Sequence, residues 1–389
     1  MQVVIASPKI KLIFLIVSVL SLLSAGCATQ RPTPPASEAD VLSDITQLTR
    51  DFSRAGEAYF APDMRWIVFQ ATPSGETNYQ MYVAPLLDGG QRTGKPVRVS
   101  PTPSKNTCGF FSPDGNSLIF ASTAGKERAA TATTTSPTSA TTTRPATQPS
   151  TQPASGYQRS TGTYRWDFPS EMEIFRADNW EAAVTAAAQT GQTNLARRPL
   201  TNNQAYDAEC AFAPDGKWIV FTSLRTGDAE LFAMRANGSD VVQLTHTKGY
   251  DGGPFISPDG RRIVYRSDRA GNDLLQIFVA DIIRDRAGNI LGLKHERQLT
   301  KDQNVNWGPY WHPDGKHIIY ATSVHGHQNY ELYLMRRDGS HKTRVTFTDG
   351  FDGLPVFSPD GKYLMWSSKR TSDRTTQVFI ARFRMPGGA

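Results

Sequence analysis

From residue 44 onward, apolar and polar positions alternate in short runs separated by turn-forming residues, the period-two pattern of half-buried β-strands. One unit of this pattern recurs six times: FAPDMRWIVF (60–69), FSPDGNSLIF (111–120), FAPDGKWIVF (212–221), ISPDGRRIVY (256–265), WHPDGKHIIY (311–320) and FSPDGKYLMW (357–366). Each couples an apolar strand end to a tight turn and a second, alternating strand. Proline presets φ for the first central turn position, aspartate tolerates the second and can bond its own backbone, and glycine takes the left-handed place that follows. The unit therefore predicts a hairpin.

A third strand follows each hairpin, as YQMYVA (79–84), EIFRA (173–177), AELFAMR (229–235), LLQIFVA (274–280), YELYLMR (330–336) and TQVFIAR (376–382). Most repeats add a fourth, ending in QLT (243–245), QLT (298–300) or RVT (344–346). Four antiparallel strands make one propeller blade. The sixth unit lacks a fourth strand, whereas ITQLT (45–49) precedes the first unit without a partner. Pairing the two closes a ring and removes exposed sheet edges. The predicted fold is all-β: a six-bladed β-propeller of four-stranded antiparallel blades over residues 44–389, closed by the N-terminal strand.

The turn aspartates stand at 63, 114, 215, 259, 314 and 360, so the second gap is 101 residues against 44 to 55 elsewhere. Residues 124–163, dominated by Ser, Thr, Pro and Ala, account for the excess as a disordered insertion in blade two. A second insert, 179–196, predicts a short helix from Trp180 to Ala188.

The first 26 residues break the pattern. Lys9 and Lys11 precede an apolar run from Leu12 to Leu23 and then Ser24-Ala25-Gly26-Cys27, the order of an exported chain's signal segment. These residues resemble a bacterial lipobox, although Ser24 stands where an aliphatic residue is usual; the resemblance implies cleavage before Cys27 and acylation of its thiol. The polar, Pro-rich stretch 27–43 reads as a flexible tether. Net charge is +6 for the whole chain. Without Lys9 and Lys11 it is 6 − 2 = +4, with no basic block to favour nucleic acid. The remaining cysteines, Cys108 and Cys210, lie six and five residues before their turn aspartates, an offset that predicts side chains on opposite faces and two buried free thiols.

The phrases SPDG, LT and YDG/FDG, with third strands EIFR, ELFAM and ELYLM, resemble the Pro-Asp β-propeller repeats of TolB-like proteins. The resemblance covers nearly all of 44–383 and implies the fold; it is not specific for function. TolB itself carries an α/β domain ahead of its propeller; here the propeller starts within about 20 residues of Cys27, so the resemblance does not carry TolB's own role.

Eight residues before each turn aspartate, the last five repeats place Asn106, Asp207, Asp251, Asn306 and Asp352, with Ala55 in the first. Entering the inner strands, these side chains either ring the channel mouth with acceptors for a ligand or cap the turn into the strand. The second-to-third hairpins on that face carry Arg225, Arg269 and Arg370, with His325 at the matching place in blade five; they face a partner or form solvated tips. His325 and His327 make an H-x-H pair, and His246 shares their face, but no further ligand spacing supports a metal. His312 and His317 belong to the opposite face.

Two functional classes follow. The first is a non-enzymatic, lipid-anchored scaffold on the periplasmic face of the envelope, at the outer membrane, monomeric and without cofactor. It would bind a protein, peptide or glycan at the channel mouth. The alternative is a divalent-cation-dependent lyase resembling the propeller-fold oligogalacturonide lyases, which requires imidazoles facing the channel.

Overall fold

A computed structural model describes residues 37–124, 168–190, 193 and 195–387. The signal segment, Cys27, the tether up to residue 36 and nearly all of the 124–163 insertion lie outside the described residues. Six antiparallel sheets are arranged as blades whose first strands, Phe52–Phe60, Asn106–Phe111, Asp207–Phe212, Asp251–Ile256, Asn306–Trp311 and Asp352–Phe357, face the axis. The second strands are almost wholly buried between blades, as in Ser117–Ser122 and Trp218–Ser223.

Blade six unites the two ends of the sequence. Leu42–Gln47 pairs with Gln377–Phe383, with Leu42 opposite Phe383 and Gln47 opposite Phe379. A repeated latch fixes this outer strand: the third strand opens on Gln or Glu, whose side chain meets a hydroxyl of the fourth, and that hydroxyl also accepts a backbone N–H. In blade five Thr346 Oγ1 donates to Glu331 Oε2 at 2.6 Å and accepts from Leu332 N at 2.9 Å. In blade six Thr49 Oγ1 donates to Gln377 Oε1 and accepts from Val378 N, both at 2.8 Å. Blade one splits its fourth strand into Arg92–Thr93 and Val97–Arg98, both paired with the third.

The folded body starts earlier than composition suggests. Residues 37–43 read as tether, yet Glu38–Asp40 form a 3-10 turn and Val41 and Leu42 are buried. Glu38 accepts from Phe347 N and from Arg370 Nη1, both at 2.8 Å. A polar composition thus concealed one buried apolar pair and one ion pair.

The Pro-Asp turns do structural work in all six blades. Each turn aspartate accepts a backbone N–H two residues on, at 2.8–3.1 Å. Glycine follows it at positive φ in five blades, and Met64 holds the same conformation at φ 62° in blade one, at a cost of about 1–2 kcal/mol. The helix is Trp180–Thr190; Trp180 is buried edge-on to Trp66 and donates to Gly115 O at 2.8 Å.

Candidate functional site: the cup at the propeller axis

Every inner strand carries a β-bulge, visible as a register shift between Gly56 and Ala58, Thr107 and Phe110, Ala208 and Ala211, Gly252 and Phe255, Trp307 and Tyr310, and Gly353 and Val356. The residue six before each turn aspartate is left-handed there: Glu57, Cys108, Glu209, Gly253, Gly308 and Leu354, with φ between 45° and 59°. A bulge re-aims side chains, and these six positions all line one axial cavity of about 250 Å³. Its mouth is formed by Arg54, Thr77, Asn78, Tyr79, Lys105 and Pro169.

Two residues nearer the Pro-Asp turns, the same strands supply Tyr59, Phe110, Phe255 and Tyr310. Their rings pack on one another, with centroids at 4.9 Å for Tyr59–Phe110 and Phe255–Tyr310 and 5.9 Å for Tyr59–Phe255. Aromatic packing at these separations is favourable beyond area burial. The rings fill the axis below the bulges, so the channel is a cup open towards the loops.

One wall of the cup is an ion-pair network. Arg266 Nη2 lies 2.9 Å from Glu209 Oε1, both side chains being 5% exposed. Tyr250 Oη donates to Glu209 at 2.7–2.8 Å and accepts from Arg266 Nη2 at 2.7 Å. Gly253 N and Thr222 Oγ1 complete the carboxylate's shell at 2.7 and 2.8 Å. The two glycines of YDGG make room: a Cβ on Gly253 would stand 2.4 Å from Arg266 Nη1, and one on Gly252 2.5 Å from Glu209 Oε2.

Glu57 has no such shell. Among the described residues it has no ion pair, and its carboxylate receives only Tyr59 Oη at 3.5 Å and the Cys108 thiol. Burial raises its pKa to about 7; repulsion from Glu209 adds to the shift, while Arg266 and those two hydrogen bonds oppose it. Burial, reinforced by Glu57 and Glu209, also holds the Cys108 thiol well above its ordinary range. Cys108 and Cys210 are free thiols, and Cys210 Sγ lies 3.5 Å from Cys108 O. The opposite-face expectation for them is corrected by the bulge, which brings both to the cup.

The residues expected to ring the mouth are elsewhere. Asp207, Asp251, Asn306 and Asp352 are buried inside the blades, and Asn106, also buried, is the one of the five that borders the cup. The three aspartates hold the hairpin arginines expected to face a partner: Arg225–Asp207 at 3.0 Å, Arg269–Asp251 at 3.1 Å and Arg370–Asp352 at 3.1 Å. Each arginine also donates to the serine opposite its aspartate, Ser223, Ser267 or Ser368. The guanidinium turns inward because a buried carboxylate without a partner is costly. Even so, burial raises Asp251 to about pKa 6 against the pull of Arg269, and Asp352 is raised likewise.

Blades with Asn in place of Asp have no arginine there. Asn106 Nδ2 donates to Gln80 Oε1 at 2.9 Å, and Asn306 Nδ2 to Gln276 Oε1 at 3.1 Å. Strand register puts Val324, two residues after Thr322, at the arginine position of blade five. His325 is one residue further, exposed, with Nε2 2.8 Å from Tyr333 Oη.

No histidine stands among the described residues that line the cup. The described group with metal-ligand proximity is His312, Asp314 and His317 in the blade-five turn, not the H-x-H pair. His317 Nδ1 is 2.7 Å from Asp314 Oδ2, and His312 Nδ1 accepts from Asp314 N at 3.2 Å. His312 occupies the place of Ser112, Ser257 and Ser358, which bond the turn aspartate in other blades, so a hydrogen-bonding role in the turn accounts for it.

The polar repeat in the sequence stands eight residues before the turn and, Asn106 apart, does not line the cup. The lining residues have no common chemistry. Their signal was the non-repeating Glu, Cys, Glu, Gly, Gly, Leu series at minus six.

Comparison with known proteins agrees with the fold. Residues 189–290 match the family model of the TolB beta propeller domain. The chain is similar to a TolB homolog of Chlorobium luteolum, 31% identical over 167 residues, which is 42% of this chain and 34% of the relative. It thus spans about a third of the length of that relative. Among solved structures it resembles a putative TolB from Agrobacterium tumefaciens (TM-score 0.52, 18% identity, 88% of this chain and 97% of the other). It resembles equally a gluconolactonase from Xanthomonas campestris (TM-score 0.53, 13% identity, 91% and 94%). At these identities the structural likeness shows the fold alone.

Proposed function

From its β-propeller fold and the match of residues 189–290 to the TolB beta propeller domain, we propose that the chain is a cell-envelope lipoprotein whose propeller binds a protein, peptide or glycan partner at the mouth of the cup. Cys27 is the proposed acylation site, and the outer membrane's periplasmic face the proposed location. The propeller acts there as a monomeric, non-enzymatic scaffold. The observation that carries this reading is the cup itself: a concave site closed at its floor by packed rings and walled by a buried ion-pair network. Rigid sites of this kind bind with little ordering cost.

Capture from envelope extracts tests the role, using the full chain against a variant whose mouth is roofed by Asn78→Trp and Lys105→Trp. Loss of the captured partner in the folded, roofed variant supports mouth binding. Equal capture by both places the partner elsewhere. Incorporation of labelled palmitate, abolished by Cys27→Ala, tests the anchor.

A further inference from the structure

We infer that the cup recognises a primary ammonium group presented by the partner, a lysine side chain or a chain's amino terminus, with Glu57 as its counter-ion. The inference rests on the mouth-binding role proposed above and adds the chemistry of the ligand.

Among the described residues, the carboxylates Glu57 and Glu209 and the guanidinium of Arg266 meet in the cup, with Arg54 and Lys105 at its mouth. Arg266 is committed to Glu209 and Tyr250 by bonds of 2.7–3.1 Å. Of the cations at the mouth, Arg54 donates to Thr72 Oγ1 and Thr77 O and lies over the Tyr79 ring, and Lys105 sits on the next inner strand's entry. Among the described residues the other titratable groups near Glu57 are Tyr59, Tyr79, Tyr206, Tyr310, Cys108 and Cys210, and burial raises the pKa of each, so they remain neutral at pH 7. Among the described residues Glu57 is therefore the carboxylate in the cup without an ion-pair partner, and a cation entering the cup supplies one.

The shape narrows the cation. A volume of about 250 Å³ falls below the range of drug-sized ligands and suits one side chain. Tyr59, Phe255 and Tyr310 border the space, and aromatic faces favour a desolvated cation. A single available carboxylate matches a compact ammonium better than a guanidinium, whose planar fork seeks paired acceptors. It matches a bare calcium ion poorly, since calcium takes about six to eight oxygens.

The test titrates the full chain with three probes by calorimetry: Nα-acetyl-lysine amide, glycinamide and sodium acetate. Binding of the first assigns a lysine side chain, binding of the second an amino terminus, and both are expected to weaken at least tenfold in Glu57→Gln. The native protein gives an independent reading. A carboxyl group with a pKa of about 7 is roughly nine-tenths ionised at pH 8 and one-tenth at pH 6, so affinity should fall about tenfold between them. Both probes keep their charge at pH 6; glycinamide titrates near pH 8, so its affinity is referred to the ammonium form. Binding of acetate alone, binding of neither amine, or amine binding unchanged by Glu57→Gln and by pH would each overturn the inference. Because partner capture is read separately with the roofed variant, amine probes that fail while capture is still lost would leave the scaffold reading standing.

Discussion

Two positions on the inner strands, eight and six residues before the turn aspartate, behave in opposite ways. At minus eight the chemistry nearly repeats: Asn, Asp, Asp, Asn, Asp after a single Ala. Those side chains are buried; the aspartates are bonded within their own blades and the asparagines to a glutamine of the preceding blade. At minus six the chemistry does not repeat, and the six residues share only a left-handed backbone and a place in the cup. In a repeat protein, a feature that every unit needs is held in register by the fold, while a site on the symmetry axis is made by the units differing. Within the minus-six series there is a further contrast, since Glu209 is locked by Arg266 and Glu57 is not.

The largest effect expected comes from breaking that lock. Arg266→Met leaves Glu209 without its guanidinium in a buried site, a change worth about 3–5 kcal/mol. Urea unfolding should show a midpoint shift of that size with little change in slope. A loss below about 1 kcal/mol would mean that water already reaches Glu209 and that the network is not the cup's wall.

The next effect concerns minus eight. Asp251→Ala removes the buried partner of Arg269, which keeps Glu296 at 2.8 Å and has a side chain 20% exposed, so the cost should be nearer 2 kcal/mol. Blades two and five show the fold's own alternative, asparagine with no arginine. The double change Asp251→Asn with Arg269→Val copies Asn306 and Val324 and should recover most of the loss, giving a coupling of about 1–2 kcal/mol in a double-mutant cycle. Additive losses would show that the aspartate and arginine act independently and would reopen a ligand role for Asp251.

How much of this was legible follows the same division. Six Pro-Asp-Gly turns, the LT strand ends and the unpaired ITQLT predicted the blades and their closure, because turn geometry and period-two burial are local. The latch confirms the reading residue by residue, with Thr49 doing for Gln377 what Thr346 does for Glu331. The cup was not legible, because a bulge adds a residue to one strand only and shifts which side chains face the axis. Counting by twos from Asp207 across the bulge misassigns Glu209 and Cys210, and no residue type at those positions announces the shift. The ion pairs from Arg225, Arg269 and Arg370 back to their aspartates span 18 residues, which no local pattern reports.

A smaller effect tests the closure. Thr49→Ala removes one side-chain hydrogen bond and leaves Val378 N without its acceptor, for about 1 kcal/mol. The matching change Thr346→Ala should cost a similar amount if the closing strand is an ordinary fourth strand. A markedly larger loss at Thr49 would show that ring closure depends on this latch more than an interior blade does.

A last effect lies at Glu57, where substitution should stabilise the protein, opposite to substitution at minus eight. Its folded pKa, about 7, is raised above the ordinary carboxyl value of 4.5. The native state therefore binds its proton more tightly than the unfolded chain, and between pH 4.5 and 7 native protein carries more protons. Stability must then fall as pH rises through that window, and the loss is complete above pH 7. Glu230 and Glu331, also raised to about 7, Asp251, raised to about 6, and Asp268 and Asp352, raised as well, act in the same direction, outnumbering the lowered imidazoles of His312 and His325, which act against it. Thermal unfolding should accordingly occur at lower temperature at pH 8 than at pH 5. Glu57→Gln removes one of these contributions, so its melting temperature should equal the native value below about pH 4.5 and exceed it at pH 8 by on the order of a few °C. Paired with a tenfold loss of amine binding, that gain would identify a residue retained for ligand recognition at a cost in stability. Destabilisation of Glu57→Gln at pH 8 would instead place Glu57 with Glu209, as part of the wall.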